Sequence, residues 1–161
     1  MFRQDGNIKL IDFGTATRVD NCRRSTVGTP WYCAPEVINS EEYGNRCDIW
    51  SLGCFSIELV SGKPPFDELN DIACLFKMAE GKPPLPNDVT PLCKSFLSDC
   101  LILNWKNRPT SSKLLGHPFL KMEEAQEEVA RKQLMEGTQR IALEKAHLDK
   151  IKNSASIKIK L

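Results

Sequence analysis

The rhythm of apolar and polar positions changes several times along the chain. After the turn-like Asp5-Gly6, residues Ile8, Leu10 and Phe13 lie among Asn7, Lys9 and Asp12, which predicts a short hairpin strand. Residues 14–35 form a long polar segment with Ser25, Thr26 and several arginines but no sustained period. A loop of that length inside a compact domain is usually functional or disordered. The run CDIWSLGCFSIELVSG (47–62) is apolar nearly all round, interrupted mainly by serines and Glu58, and predicts a helix buried on most sides. Gly62 and Pro64-Pro65 stop it. Short helices are expected at 70–80, 90–103 and 110–116, with KPPLP (82–86) extended between the first two. Beyond Phe119 the chain turns rich in Glu, Lys, Ala and Leu, with Leu134, Ile141 and Leu148 seven apart. This predicts an amphipathic helix, weakened by Gly137-Thr138. Fewer than four clean heptads favour a solvated extension over a coiled-coil or docking helix, and NSASIKIKL reads as a frayed end.

Composition narrows the classes of function. A chain of 161 residues suits one domain with an appendage, and 41% apolar with 27% charged residues is ordinary for a soluble globular protein. Lys and Arg (22) nearly cancel Asp and Glu (21), so neither nucleic acid nor an anionic membrane is an expected partner. No apolar run approaches the roughly 18 residues that span a bilayer. Residues 1–7 lack the charged start and apolar run of a signal peptide. The seven cysteines (22, 33, 47, 54, 74, 93, 100) form no C-x-x-C and cluster with no histidine. They read as reduced core residues of an intracellular protein, so the expected location is cytoplasmic and neither zinc nor a disulfide framework is expected.

Four motifs then occur in a telling order. Asp12-Phe13-Gly14 follows the expected strand, and Ala34-Pro35-Glu36 closes the polar loop. Asp48-Ile49-Trp50-Ser51-Leu52-Gly53 opens the apolar helix, and Arg108-Pro109 lies near the end. Together they resemble the protein kinase signature set, from its metal-binding aspartate to the end of its carboxy-terminal lobe. The resemblance implies a mainly α fold with a short β-hairpin, the carboxy-terminal lobe of the protein kinase fold. It would make residues 1–120 a partial kinase domain and 121–161 a charged amphipathic helical tail.

The chemistry accounts for the residue types. Phosphoryl transfer needs cations bridging the phosphates and a well-placed hydroxyl. By resemblance Asp12 is a ligand of Mg²⁺ accompanying ATP, Phe13 packs as a spine residue and Gly14 lets the backbone turn; on its own, Asp12 also suits a strand-end cap. Ser25 and Thr26 are candidate phosphoacceptors of an activation segment, where a phosphate would pair with Arg18, Arg23 or Arg24; the plainer reading is a polar loop. Gly28-Thr29 followed by Tyr32 looks like the substrate loop of serine/threonine kinases, with Thr29 near the catalytic aspartate. Glu36 and Arg108 would form a partly buried ion pair, and Asp48 would anchor the catalytic loop through its backbone N–H groups. Without the resemblance, these three are ordinary surface charges.

Finer likeness points to one branch. GTPWYCAPEV, CDIWSLGCFSIELVSGKPPF, KPPLP, LSDCL and NRPTSSKLLGHPF look like the mitogen-activated protein kinase kinase kinases, which implies MAP kinase kinases as substrates. Trp31-Tyr32-Cys33 departs from that pattern by reversing the common Tyr-Trp order and replacing a usual Met. No G-x-G-x-x-G and no His-Arg-Asp occurs in the 161 residues; the two histidines are His117 and His147. Aligned with the family pattern, Met1 would fall just after the catalytic loop, so no catalytic residue is expected in this chain. An internal methionine taken as the start, an incomplete gene model and a truncated isoform all remain open. The function implied is that of part of a serine/threonine kinase, inactive alone. The alternative is a non-catalytic interaction module or decoy, with 121–151 as a possible helix for a partner. If a helix of the upstream half is absent, Trp50, Leu52, Phe55, Ile57 and Leu59 cannot all be covered.

Overall fold

The computed structural model describes residues 8–14, 16, 29–121, 129–137 and 139–146. The chain divides into two compact units, one of residues 1–14 with 122–161 and one of residues 15–121.

The larger unit is a stack of short helices around one long one. A 3₁₀ turn (Pro30–Tyr32) leads into α1 (Pro35–Ile38), then α2 (Arg46–Ser61), α3 (Asp71–Glu80), α4 (Pro91–Cys100), α5 (Ser111–Leu114) and a last 3₁₀ turn (Pro118–Leu120). Local chemistry sets the boundaries. Asn70, Thr90 and Thr110 each accept a hydrogen bond from the backbone N–H three residues on, at 3.0, 3.2 and 3.3 Å, and so cap α3, α4 and α5. Pro91 occupies the first turn of α4, where its absent N–H costs nothing. Gly62 closes α2 at φ 78°, and its N–H reaches Glu58 C=O at 2.8 Å. A side chain at that left-handed position would carry a steric penalty.

The core lies where α2 crosses α4. Trp50, Cys54 and Ile57 of α2 meet Phe96, Leu97 and Cys100 of α4, with Cys74 and Met78 of α3 and Leu101 completing the cluster. Gly53 makes the crossing possible. A Cβ there would stand 2.8 Å from Cys100 Cβ and 3.0 Å from Leu101 Cδ2. Phe96 extends the core to the end of the unit, lying 5.0 Å from the Phe119 ring and edge-on to His117 at 5.5 Å. His117 Nδ1 accepts the Phe119 N–H at 3.1 Å and caps the final turn.

Two expectations need correction. The 47–62 helix is not buried on most sides. It buries Ile49, Trp50, Gly53, Cys54 and Ile57 and leaves Leu52, Phe55, Leu59 and Val60 exposed, because nothing in its unit packs on that face. The expected hairpin strand is not seen either: among the described residues no strand occurs, and Ile8 is an isolated bridge residue. Asp12 takes a left-handed φ of 64°, which ends any extended run, and Ile8, Leu10, Ile11 and Phe13 are all exposed. An isolated hairpin without a covered apolar face is marginal. Its other arm would involve residues 1–7, which lie outside the described residues.

In the smaller unit, residues 129–137 and 139–146 are helical on either side of position 138. Val129, Ile141 and Leu143 are exposed, and Leu148 lies outside the described residues. Among the described residues, no helix is long and apolar enough to cross a membrane.

Candidate functional site

The segment from Thr29 to Glu36 is fixed to the helical base at two points. At its far end, α1 begins on Pro35 and places Glu36 facing inward, 3% exposed. Arg108, 1% exposed, meets it with both arms of the guanidinium: Nη1 donates to Glu36 Oε1 at 2.7 Å and Nη2 to Oε2 at 3.0 Å. Nη1 also donates to Arg46 C=O at 2.8 Å and Nε to Ile102 C=O at 3.0 Å. Every guanidinium nitrogen thus has a partner. Fork-to-fork pairing of this kind is among the stronger polar contacts, and full satisfaction offsets the desolvation of two buried charges. The Trp50 ring packs against the guanidinium, 5.1 Å from centroid to Cζ.

At its near end, Tyr32 is held by α2. The Tyr32 hydroxyl donates to Glu58 Oε2 at 2.7 Å, and Ser51 Oγ donates to Tyr32 C=O at 2.8 Å. Ser51 and Glu58 are seven residues apart, two helical turns on one face, so α2 offers both contacts together. Partial burial, and next the hydrogen bond to the Glu58 carboxylate, push the Tyr32 phenol up to about 12. Thr29 precedes this turn, exposed, and its C=O accepts the Tyr32 N–H at 3.1 Å.

Asp12 belongs to the smaller unit. Its side chain is exposed, and Oδ1 accepts the Gly14 N–H at 3.3 Å in a local turn. A carboxylate oxygen is the donor type that Mg²⁺ prefers, and Mg²⁺ is usually held by one or two carboxylates with phosphates and waters. Asp12 therefore fits as a single ligand. Among the described residues no group of three His, Cys, Asp or Glu could form an all-protein cage. Asp48 sits in the first turn of α2, exposed, with the Cys47 thiol 3.8 Å from its Oδ1. Ser25 and Thr26 lie outside the described residues.

The structure therefore brings Glu36 and Arg108 together and sets Thr29 three residues before the first attachment, at Tyr32. Sequence reasoning missed the Tyr32–Glu58 and Ser51–Tyr32 contacts. Their one signal was Glu58, a lone charge on an apolar helix with Ser51 two turns before it. It also missed Arg46, whose Nη1 donates to Trp105 C=O at 3.3 Å and to Lys106 C=O, tying the 104–108 loop to the start of α2. The cysteines 33, 47, 54, 74, 93 and 100 are free thiols. Burial first of all pushes Cys47, Cys54 and Cys100 up to about 12, and it also raises Cys33 and Cys74, so none of these five is an activated nucleophile.

Comparison with known proteins places these features. The family described as Protein kinase domain matches residues 1–120. Myosin-IIIa of Mus musculus is 40% identical over 143 residues, covering 82% of this chain and 9% of its own length. The serine/threonine-protein kinases shk1/pak1 and sid1 of Schizosaccharomyces pombe are 44% and 42% identical over 122 and 120 residues. Each of these two matches covers 72% of this chain, and 18% and 26% of the relative. The chain thus spans about a quarter or less of the curated relatives it matches. Because the family matches residues 1–120 of its 161, the chain belongs to the protein kinase family.

Proposed function

We propose that the chain is the substrate-loop and helical-base portion of a serine/threonine protein kinase, which transfers the γ-phosphate of ATP to hydroxyls of protein substrates. The observation that carries this reading is the double attachment of residues 29–36, by Glu58 and Ser51 at Tyr32 and by Arg108 at Glu36. Catalysis of phosphoryl transfer is chiefly positioning and electrostatics, and a segment fixed at Tyr32 and Glu36 gives the preceding substrate loop a defined support. Thr29, exposed three residues before Tyr32, would by family resemblance hydrogen-bond near the catalytic aspartate and help admit an aliphatic hydroxyl. Asp12 would be one ligand of the Mg²⁺ that neutralises charge on the phosphates. Phosphorylation of Ser25 or Thr26 would add about two negative charges that would pair with Arg18, Arg23 or Arg24. Asp48, at the start of α2, would anchor the catalytic loop.

Within this class, the runs GTPWYCAPEV and NRPTSSKLLGHPF support a MAP kinase kinase kinase, acting on MAP kinase kinases in the cytoplasm. Because the 161 residues hold no G-x-G-x-x-G and no His-Arg-Asp, we expect them to be inactive by themselves. A second reading is a non-catalytic interaction module, with 121–151 as a further contact helix. It is favoured by one observation, the exposed Leu52, Phe55 and Leu59 of α2.

The test is radiolabelled phosphate transfer, first with the 161 residues and then with a chain that also carries a glycine-rich loop, strand lysine and His-Arg-Asp loop. The first should not exceed an Asp12→Ala control. The second should phosphorylate Ser or Thr, and Asp12→Asn should abolish transfer while leaving unfolding unchanged. Near-normal turnover of Asp12→Asn in the extended chain would remove Asp12 as the metal ligand.

A further inference from the structure

A shallow groove of about 570 Å³ lies between α1, the end of α3 and the 103–106 loop, and Pro35 and Glu36 at the end of the clamped segment form part of its lining. Its walls include Leu103 and Trp105, and its rim carries Glu41, Glu42 and Glu80 against one lysine, Lys106. We propose that this groove docks a basic peptide segment of a partner protein, with arginine or lysine side chains between the carboxylates and an apolar residue against Leu103.

Four observations lead there. The volume falls within the range of about 300–1,000 Å³ typical of ligand clefts and suits a few side chains of a peptide. Charge selects the occupant: Glu80 is bridged to Lys77 at 2.9 Å, whereas Glu41 and Glu42 have no ion pair among the described residues. Such a rim repels phosphate and attracts cationic side chains. The groove also shows cation recognition within the chain, since Lys106 Nζ stands 5.7 Å over the Trp105 ring. An arginine of a partner would find the same aromatic face, the type of contact at which Arg is enriched in interfaces. Finally, the wall is held in place, because Arg46 fixes the Trp105 and Lys106 carbonyls, so little ordering is needed on binding. A divalent cation is a poorer occupant, since no described group of three carboxylates could hold one.

Peptide docking is independent of phosphate transfer, so its failure would leave the kinase reading untouched. The experiment is fluorescence anisotropy of a labelled octapeptide of alternating arginine and leucine, titrated with the full chain. An octapeptide of glutamate and leucine is the control. The arginine probe should bind and the glutamate probe should not. Glu41→Gln/Glu42→Gln should weaken binding about tenfold, and Lys106→Gln should strengthen it about threefold by freeing the Trp105 face. Glu68→Gln/Asp88→Asn removes the same charge outside the groove and should leave affinity within about twofold. Equal losses in the two double variants would reduce the effect to overall charge and overturn the site. So would equal binding of the two probes.

Discussion

Arg108 and Glu36 are 72 residues apart in sequence and meet at 2.7 Å with both side chains shut away from solvent. Glu36→Ala should therefore cost roughly 3–5 kcal/mol, because the guanidinium is left buried without its counter-charge. The bonds to Ile102 and Arg46 carbonyls remain, which favours the lower end of that range. Replacing both partners by apolar residues of similar volume should cost clearly less than either single change. Urea unfolding of the three variants measures this; equal losses in all would mean packing, not charge, dominates the contact.

Gly53 gives a sharper steric prediction. A methyl group there would press on Cys100 Cβ at 2.8 Å and on Leu101, both buried and unable to swing aside. Gly53→Ala should destabilise by about 1–3 kcal/mol despite the higher helix propensity of alanine. Gly81→Ala is the matched control: its φ of 178° is extended, and nothing lies within 4 Å of the added carbon. That change should be neutral or slightly stabilising. A chemical-denaturation midpoint that moves equally for both would contradict the close crossing of α2 and α4.

The sequence carried much of this frame, and for physical reasons. Caps and breakers are local chemistry, so Asn70, Thr90, Thr110 and Gly62 bound their helices within a few residues of expectation. The Glu36–Arg108 contact was suggested only by resemblance, since two charges 72 residues apart have no local signature. The Tyr32–Glu58 bond was illegible because it depends on how the loop folds back on α2. Residues 8–13 do not form a strand because alternation over six residues cannot specify one without a partner surface. Burial of α2 was overestimated because an apolar sequence tells what a helix can bury, not what is there to cover it.

Tyr32 supplies a pH dependence with a definite sign. Its phenol titrates near 10 ordinarily and is pushed up to about 12 in the fold, by burial and then by the Glu58 bond. A group whose folded value is raised contributes stability that is complete below pH 10 and is lost as pH rises towards 12. Buried cysteines are raised in the same direction from an ordinary value of 9.0, so their contribution begins to be lost lower, as pH rises from 9 towards 12. The tyrosine share is isolated by Tyr32→Phe, which should lower stability by about 1.5–3 kcal/mol at pH 7 and flatten the fall between pH 10 and 12. Thermal unfolding at pH 7, 9, 10.5 and 11.5 checks this. Parallel curves for the two proteins would detach the hydroxyl from Glu58.

The exposed face of α2 determines how the 161 residues behave when expressed alone. Phe55 is 47% and Leu59 68% exposed, and they share a face with Leu52 (i, i+3, i+7). Side chains so spaced on one helix form a continuous stripe, and such stripes on a monomer drive association. Full burial of each is worth roughly 1.5–3 kcal/mol, so two or three of them are a large fraction of a typical stability of about 5–15 kcal/mol. The chain should therefore self-associate at micromolar concentration. Phe55→Gln/Leu59→Lys should shift it to monomer with little change in unfolding midpoint, because neither side chain contributes to the core. Sedimentation velocity distinguishes the outcomes. A wild-type chain that is already a monodisperse monomer would mean the stripe drives no association at these concentrations. A double variant that unfolds early would mean that Phe55 or Leu59 is packed in solution.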